Sequence, residues 1–253
     1  MLIQPTIDKL CSLRLSGMVK AIQQQINDPE IGSLSFDDRL GLIVDTEMTE
    51  RENRRLNTRL KAAKLKEQAC MENIDPRQAR GLDKSTLKQL SLPQWIKDHR
   101  NVLIVGPTGV GKTYLTCSLI NSACRNGFRA LYSRTQRMLQ NLAIARADGS
   151  YQKLLARLAK IELLVLDDFG LAALADDTSR DLLEIIDDRC KSASTVIASQ
   201  LPIDHWHQTI TNSTIADAIL DRLVHNSYKL HLKGDSLRKQ IPPDTISGTT
   251  NQH

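Results

Sequence analysis

The chain has 253 residues, 41% hydrophobic and 25% charged, with a formal net charge of +5. That length suits one large domain or two small ones, and the composition is globular rather than disordered. No apolar run approaches the roughly 18–20 residues that cross a bilayer. The start, MLIQPTIDKLCSLRLSGMVKA, lacks the long uncharged apolar stretch of a secretory signal, so a soluble cytoplasmic protein is expected.

The first part of the chain has a helical texture. Leu10, Leu13, Met18, Ile22 and Ile26 fall near helical spacing, and Asp28-Pro29 closes that segment. Ser35 is a candidate N-cap for the next helix, whose apolar face continues through Leu40, Ile43, Val44 and Met48. A basic block comes next. Between Arg51 and Glu67 lie seven cations (Arg51, Arg54, Arg55, Arg59, Lys61, Lys64, Lys66) and two acids, Glu52 and Glu67. Such a block is either a solvated helix face or a surface for phosphates. Aromatics make up only 4% of the chain. That argues against a base-stacking, single-strand platform and suits contacts to duplex phosphates. Residues 1–72 are therefore read as a helical N-terminal domain. Arg51, Arg54, Arg55, Arg59, Lys61 and Lys64 are its candidate DNA contacts.

Residues 73–100 read as a connector, with Asp75-Pro76, Gly81 and Leu92-Pro93 as breakers and Trp95 and Ile96 as its packing residues. From 101 the texture changes to short apolar runs alternating with helical patterns. Strands are expected at Asn101–Val105, Arg129–Ser133, Ile161–Asp167, Ser194–Ser199 and Tyr228–Leu232. Helices are expected at 112–126, 135–147, 150–160, 177–191 and 214–226. Alternation of this kind implies a parallel sheet covered on both faces, spanning 101–233. Residues 234–253 are polar and rich in Gly and Pro, and mostly disordered on composition. Five cysteines (Cys11, Cys70, Cys117, Cys124, Cys190) form no C-x-x-C pair, which argues against a zinc or disulfide framework. Cys117 and Cys124, seven apart in one helix, can both face a core. The cluster His205-Trp206-His207 lacks partners at ligand spacing and reads as structural or surface.

The first strand runs into Gly106-Pro107-Thr108-Gly109-Val110-Gly111-Lys112-Thr113, with Tyr114 next, which fits G-x-x-x-x-G-K-[ST]. The glycines let successive N–H groups converge on phosphate oxygens, and the helix beyond them adds its positive end. Lys112 can reach the β- and γ-phosphates of ATP, and the Thr113 hydroxyl can ligate Mg²⁺. The apolar run IELLVLDDFG then has a counterpart. In a P-loop fold its strand is expected to lie beside the P-loop strand, with Asp167 in the Mg²⁺ shell opposite Thr113. Asp168 is placed to orient or deprotonate the attacking water, or else to cap the next turn.

The segments GPTGVGKT, LLVLDDFG and TVIASQ together resemble an AAA+ ATPase. Within that superfamily the chain resembles the IstB-like and DnaC-like group, and most closely the IstB-like transposition helpers of bacterial insertion sequences. The resemblance implies a P-loop AAA+ core with a five-stranded parallel sheet flanked by helices, preceded by a small all-helical domain. It implies a polar sensor at Ser199-Gln200, an arginine finger at Arg222 serving a neighbouring subunit, and a second sensor at Arg238. Asp168 stands where Glu is usual. The implied protein is a homo-oligomer with ATP at subunit interfaces. It binds duplex DNA with weak sequence preference and stimulates the transposase of its element. A loader of the replicative helicase shares the same core. A P-loop small-molecule kinase and a nucleotide-gated scaffold are the readings from other classes.

Overall fold

The computed structural model describes residues 3–28, 30–74 and 81–234. Asp75-Pro76 and Arg238 lie outside the described residues. The chain divides into two compact units, Met1–Lys61 and Ala62–His253.

The first unit is helical. Helices α1 (Gln4–Ser12) and α2 (Ser16–Asn27) replace the single helical segment expected there. The break falls at Arg14, which takes a left-handed φ of 58°. A long helix, α3 (Phe36–Ala63), carries the chain across the division. Ser35 opens it as the spacing predicts. Its hydroxyl accepts from the Asp38 N–H at 3.2 Å and donates to the Asp38 carboxylate at 2.6 Å. The crossing of α2 and α3 is close. A Cβ on Gly17 would meet the Glu47 Cα at 2.6 Å. The buried Glu47 carboxylate accepts from the N–H groups of Gly17 (2.7 Å) and Met18 (3.2 Å) and pairs with Arg51 at 2.6 Å. The N-terminal turn of α2 thus finds its anion on the neighbouring helix rather than in its own sequence.

The second unit holds the sheet. Its leading residues pack against the helix that carries Ser118 and Arg125. The Ser118 hydroxyl donates to the Met71 sulfur at 3.1 Å, and Arg125 pairs with Glu72 at 2.8 Å. Helix α4 (Lys84–Ser91), capped by Asp83, leads to the short α5 (Gln94–Lys97). There Trp95 and Ile96 are buried, and the Trp95 indole donates to the Leu90 carbonyl. Cys70, Met71 and Glu72, inside the second unit, pack on the helix that carries Ser118, Asn121 and Arg125.

The alternating elements are β1 (Asn101–Val105), α6 (Lys112–Arg125), β2 (Ala130–Arg134), α7 (Thr135–Ala147), α8 (Tyr151–Ala159), β3 (Leu163–Phe169), α9 (Asp176–Arg189), β4 (Ser194–Ser199), α10 (Ser213–Val224) and β5 (Ser227–His231). All pairings are parallel, in the order β2-β3-β4-β1-β5. Strand periodicity sorts the core. Leu103, Val105, Leu164, Leu166 and Ile197 join the layer built by α7, α8, α9 and α10. The intervening Val102, Ile104, Val165 and Val196 are equally buried and face the side of α6. Cys117 and Cys124 are buried on α6, as their spacing implies. Burial raises the Cys117 thiol pKa above its usual value.

The sheet corrects two expectations. The strand expected at Ile161–Asp167 begins at Leu163 and runs on to Phe169, so both aspartates belong to it. It does not lie beside the P-loop strand, because β4 stands between β1 and β3. The site is assembled across three strand ends instead of two.

Candidate functional site: a phosphate loop facing a strand-end carboxylate

The loop 106–111 leaves β1 at Val105, where it is tied to its neighbours. The Gly106 N–H donates to the Ser199 carbonyl at 3.2 Å, and the Leu232 N–H to the Val105 carbonyl at 2.7 Å. A Cβ at Gly106 would meet the Leu232 carbonyl oxygen at 2.4 Å, which reserves the position for glycine. Gly111, the N-cap of α6, takes a φ of 97° that side chains resist. The Lys112 ammonium, buried, donates to the carbonyls of Gly106 (2.7 Å) and Pro107 (2.8 Å), inside the curve of the loop. Val110 is buried, whereas Pro107 and Thr108 are exposed and Gly109 and Tyr114 half-buried. The loop thus has a fixed inner wall and an open rim.

Opposite the loop sits Asp167. Strand alternation turns it to the α6 face, and its carboxylate accepts from the Thr113 hydroxyl at 2.8 Å. This joins residues 54 apart in sequence over the end of β4. Three further contacts hold Asp167. The Tyr132 phenol donates to the same carboxylate oxygen at 2.7 Å, and the Asp168 N–H donates to the other at 2.9 Å. The Thr135 hydroxyl donates to the Asp167 carbonyl at 3.0 Å. Asp167 is 1% exposed. A buried carboxylate in this density of donors is oriented, not merely accommodated. Burial and the neighbouring Asp167 drive the Tyr132 pKa well above its usual value, so Tyr132 is a neutral donor across the working pH range. Sequence reading missed Tyr132. Its signal was parallel register: Arg134 pairs with Asp167, and Tyr132 stands two residues earlier on the same face.

Asp168 departs from ordinary strand geometry. The β3–β4 register shifts between Leu166 and Phe169, and Asp168 takes a left-handed φ of 59° at that irregularity. Its half-buried carboxylate stands 3.4 Å from the Arg134 guanidinium. Phe169 then turns back into the core against Trp206, ring centroids 4.8 Å apart. The Trp206 indole donates to the Leu201 carbonyl at 3.0 Å. Trp206 of the histidine cluster is therefore a core residue, and it fixes the backbone just past the two aspartates.

At the end of β4 the two polar residues separate. The Ser199 hydroxyl is fully buried, donates to the Phe169 carbonyl at 2.7 Å and accepts from the Leu201 N–H. Its side chain braces β3 against β4. Gln200 is the one that reaches the loop, where its side-chain oxygen accepts from the Thr108 hydroxyl at 2.7 Å.

Arg222 lies elsewhere. Its main-chain carbonyl accepts from the Asn101 side chain, at the start of β1 and so at the opposite end of the strand from the loop. The rise along β1 between its two ends is about 13 Å. The Arg222 guanidinium pairs with Asp187 of α9 at 2.6 Å and donates to the Ala218 carbonyl. Arg222 does not share a site with the loop of its own chain.

The basic block is also divided. Arg51 and Arg54 both address the buried Glu47, at 2.6 and 3.6 Å. The bond from Arg51 holds the Glu47 carboxyl below the usual carboxylate range. Arg55, Arg59 and Lys61 continue along α3. Helix α3 stops at Ala63, Lys64 takes a left-handed φ of 54°, and Lys64 belongs to the second unit, which begins at Ala62. Among the described residues, no helix is long and apolar enough to cross a membrane.

The residues present suit a nucleoside triphosphate with a divalent cation. The fixed loop, its inner lysine, and a hydroxyl and carboxylate converging at 2.8 Å are the donors such a group needs. Comparison with known proteins agrees on the nucleotide. The chain is 47% identical over 239 residues to an insertion-sequence ATP-binding protein of Sinorhizobium fredii, covering 94% of this chain and 98% of that one. The fold resembles the crystal structure of DnaI (TM-score 0.57, 18% identity, 66% of this chain and 92% of the other). It also resembles that of the DnaC helicase loader (TM-score 0.53, 18% identity, 65% and 97%). The family model of the IstB-like ATP-binding proteins matches residues 8–243, and the chain belongs to that family.

Proposed function

We propose that the chain is an ATP-hydrolysing, DNA-binding regulator of insertion-sequence transposition. It assembles on duplex DNA with ATP between subunits and presents that DNA to the transposase of its element. The observation that carries the reading is the 2.8 Å contact of Thr113 with Asp167, facing the Lys112 loop, in a chain whose relatives are insertion-sequence proteins.

Lys112 holds the outer phosphates against the loop N–H groups. Thr113 and Asp167 hold Mg²⁺, whose chemistry is to neutralise charge on the phosphates. Asp168 orients the attacking water and receives its proton, and Gln200 tethers the loop through Thr108. Arg222, remote from its own loop, serves the site of a neighbouring subunit. Exposed apolar side chains on the first unit, among them Leu13 (65%), Phe36 (75%) and Met48 (57%), support self-association or transposase contact there. Likeness to helicase loaders stops at fold, whereas the similarity to insertion-sequence relatives spans nearly the whole chain.

The direct test is Asp168→Asn. It should leave ATP binding intact, lower turnover by about a hundredfold or more, and prolong ATP-bound assemblies on DNA. Unchanged turnover and unchanged release from DNA would remove Asp168 from the mechanism.

A further inference from the structure

Helix α3 ends just before Lys64, and the chain turns there, away from the helix that carries Arg51 and Arg54. Lys64 and Lys66 then line a cleft of about 820 Å³ on the second unit, together with Arg134, Arg137 and Arg157. These cations come from three separate parts of the sequence. No carboxylate among the described residues lines the cleft. Arg134 has Asp168 at 3.4 Å. Among the described residues, no ion pair is seen for Lys64, Lys66, Arg137 or Arg157, and all four are exposed. The cations earlier in the basic block differ, since Arg51 and Arg54 already share the buried Glu47.

We infer that this cleft, on the free edge of β2, is a binding site for the phosphate backbone of duplex DNA. The inference rests on the proposed DNA-binding function and says where the phosphates sit. Like charges gathered in a concavity repel one another and focus a positive potential, which an anionic ligand relieves. The volume exceeds what one phosphate fills, and the cations lie around its wall, so a polyanion meets them in succession. Duplex DNA carries about one charge per 1.7 Å of axis. Gln140 and Asn141, also on the wall, add neutral donors for phosphate oxygens. Among the described residues, Tyr132 is the one aromatic in the lining, and its phenol is committed to Asp167, so the cleft offers little for stacking unpaired bases. Duplex is thereby favoured over single strand, and backbone contact over sequence reading.

The test uses the full chain and a fluorescent duplex of about 30 base pairs, with anisotropy read across a salt series in the presence of ATP. Arg134 is left intact because it touches Asp168. The double variant Arg137→Ala/Arg157→Ala should weaken binding roughly tenfold and lower the salt slope by about two, one for each phosphate no longer neutralised. Hydrolysis in the absence of DNA should stay at the parent level. Arg137→Lys/Arg157→Lys should retain the parent slope, which a merely structural role for these arginines does not require. Lys64→Ala/Lys66→Ala should lower affinity and slope in the same direction. If the parent binds the duplex and all variants match it in affinity and slope, the cleft is not the phosphate site, though DNA binding stands. If the parent itself fails to bind duplex DNA, the functional reading falls together with the site.

Discussion

Asp167 and Asp168 are adjacent carboxylates with opposite surroundings. Asp167 is buried and receives three hydrogen bonds on its side chain, whereas Asp168 is half-buried beside a single guanidinium. Under the proposed function, this separates two residues of the same type into the fixed magnesium ligand, Asp167, and the group that acts on water, Asp168. The difference comes from one left-handed residue at a strand irregularity. Tyr132 tests the first half of this division. A hydrogen bond to a charged partner contributes about 1.5–3 kcal/mol. Tyr132→Phe removes the phenolic oxygen and keeps the ring, so turnover should fall roughly ten- to a hundredfold. The Mg²⁺ concentration for half-maximal hydrolysis should rise in parallel. A magnesium titration of ATPase activity measures both, and an unchanged midpoint would show that Asp167 is held well enough without Tyr132.

The elements were legible in the sequence to different degrees. The loop 106–113 and the strands Asn101–Val105 and Ser194–Ser199 lie where their patterns put them, because glycine spacing and unbroken apolar runs are local signals. The end of β3 was not legible. Two adjacent acids look like the close of a strand, and the backbone is returned to the sheet at Phe169 by contacts to Ser199 and Trp206, both far along the chain. Strand order was not legible either, since β4 enters between β1 and β3 from later in the chain. In the first unit, the apolar spacing of Leu13, Ile26, Leu40, Val44 and Met48 reads as helix faces, yet these residues are exposed. Glu47 is buried in their place, since its carboxylate supplies an anion to the N–H groups of Gly17 and Met18. Its pKa is lowered by the bond from Arg51, so its contribution is full above the ordinary value of 4.5 and is lost as pH falls through the depressed folded value. Glu47→Gln should lower the unfolding midpoint of the helical unit at neutral pH, followed by circular dichroism. The gap between variant and parent should close on acidification below the usual carboxylate range. A gap that persists at low pH would mean that packing, and not charge, sets the stability of the α2–α3 crossing.

At the scale of the whole molecule, the position of Arg222 requires more than one copy of the chain if it is to meet a phosphate. It sits at the far end of β1 from the loop, paired with Asp187. Lys112→Ala and Arg222→Ala should each abolish most hydrolysis alone. Mixed together, they should recover measurable activity, because an interface can then combine an intact loop from one copy with an intact arginine from another. No recovery in a mixture that still assembles would confine Arg222 to its ion pair.

Assembly itself is tested most directly by sizing the full chain with duplex DNA, with and without ATP, at about 50 and about 200 mM salt. The expected result is a DNA-bound oligomer that forms with ATP, is absent without it, and loses DNA at the higher salt. A monomer indifferent to both ATP and DNA at the lower salt would contradict the proposed function.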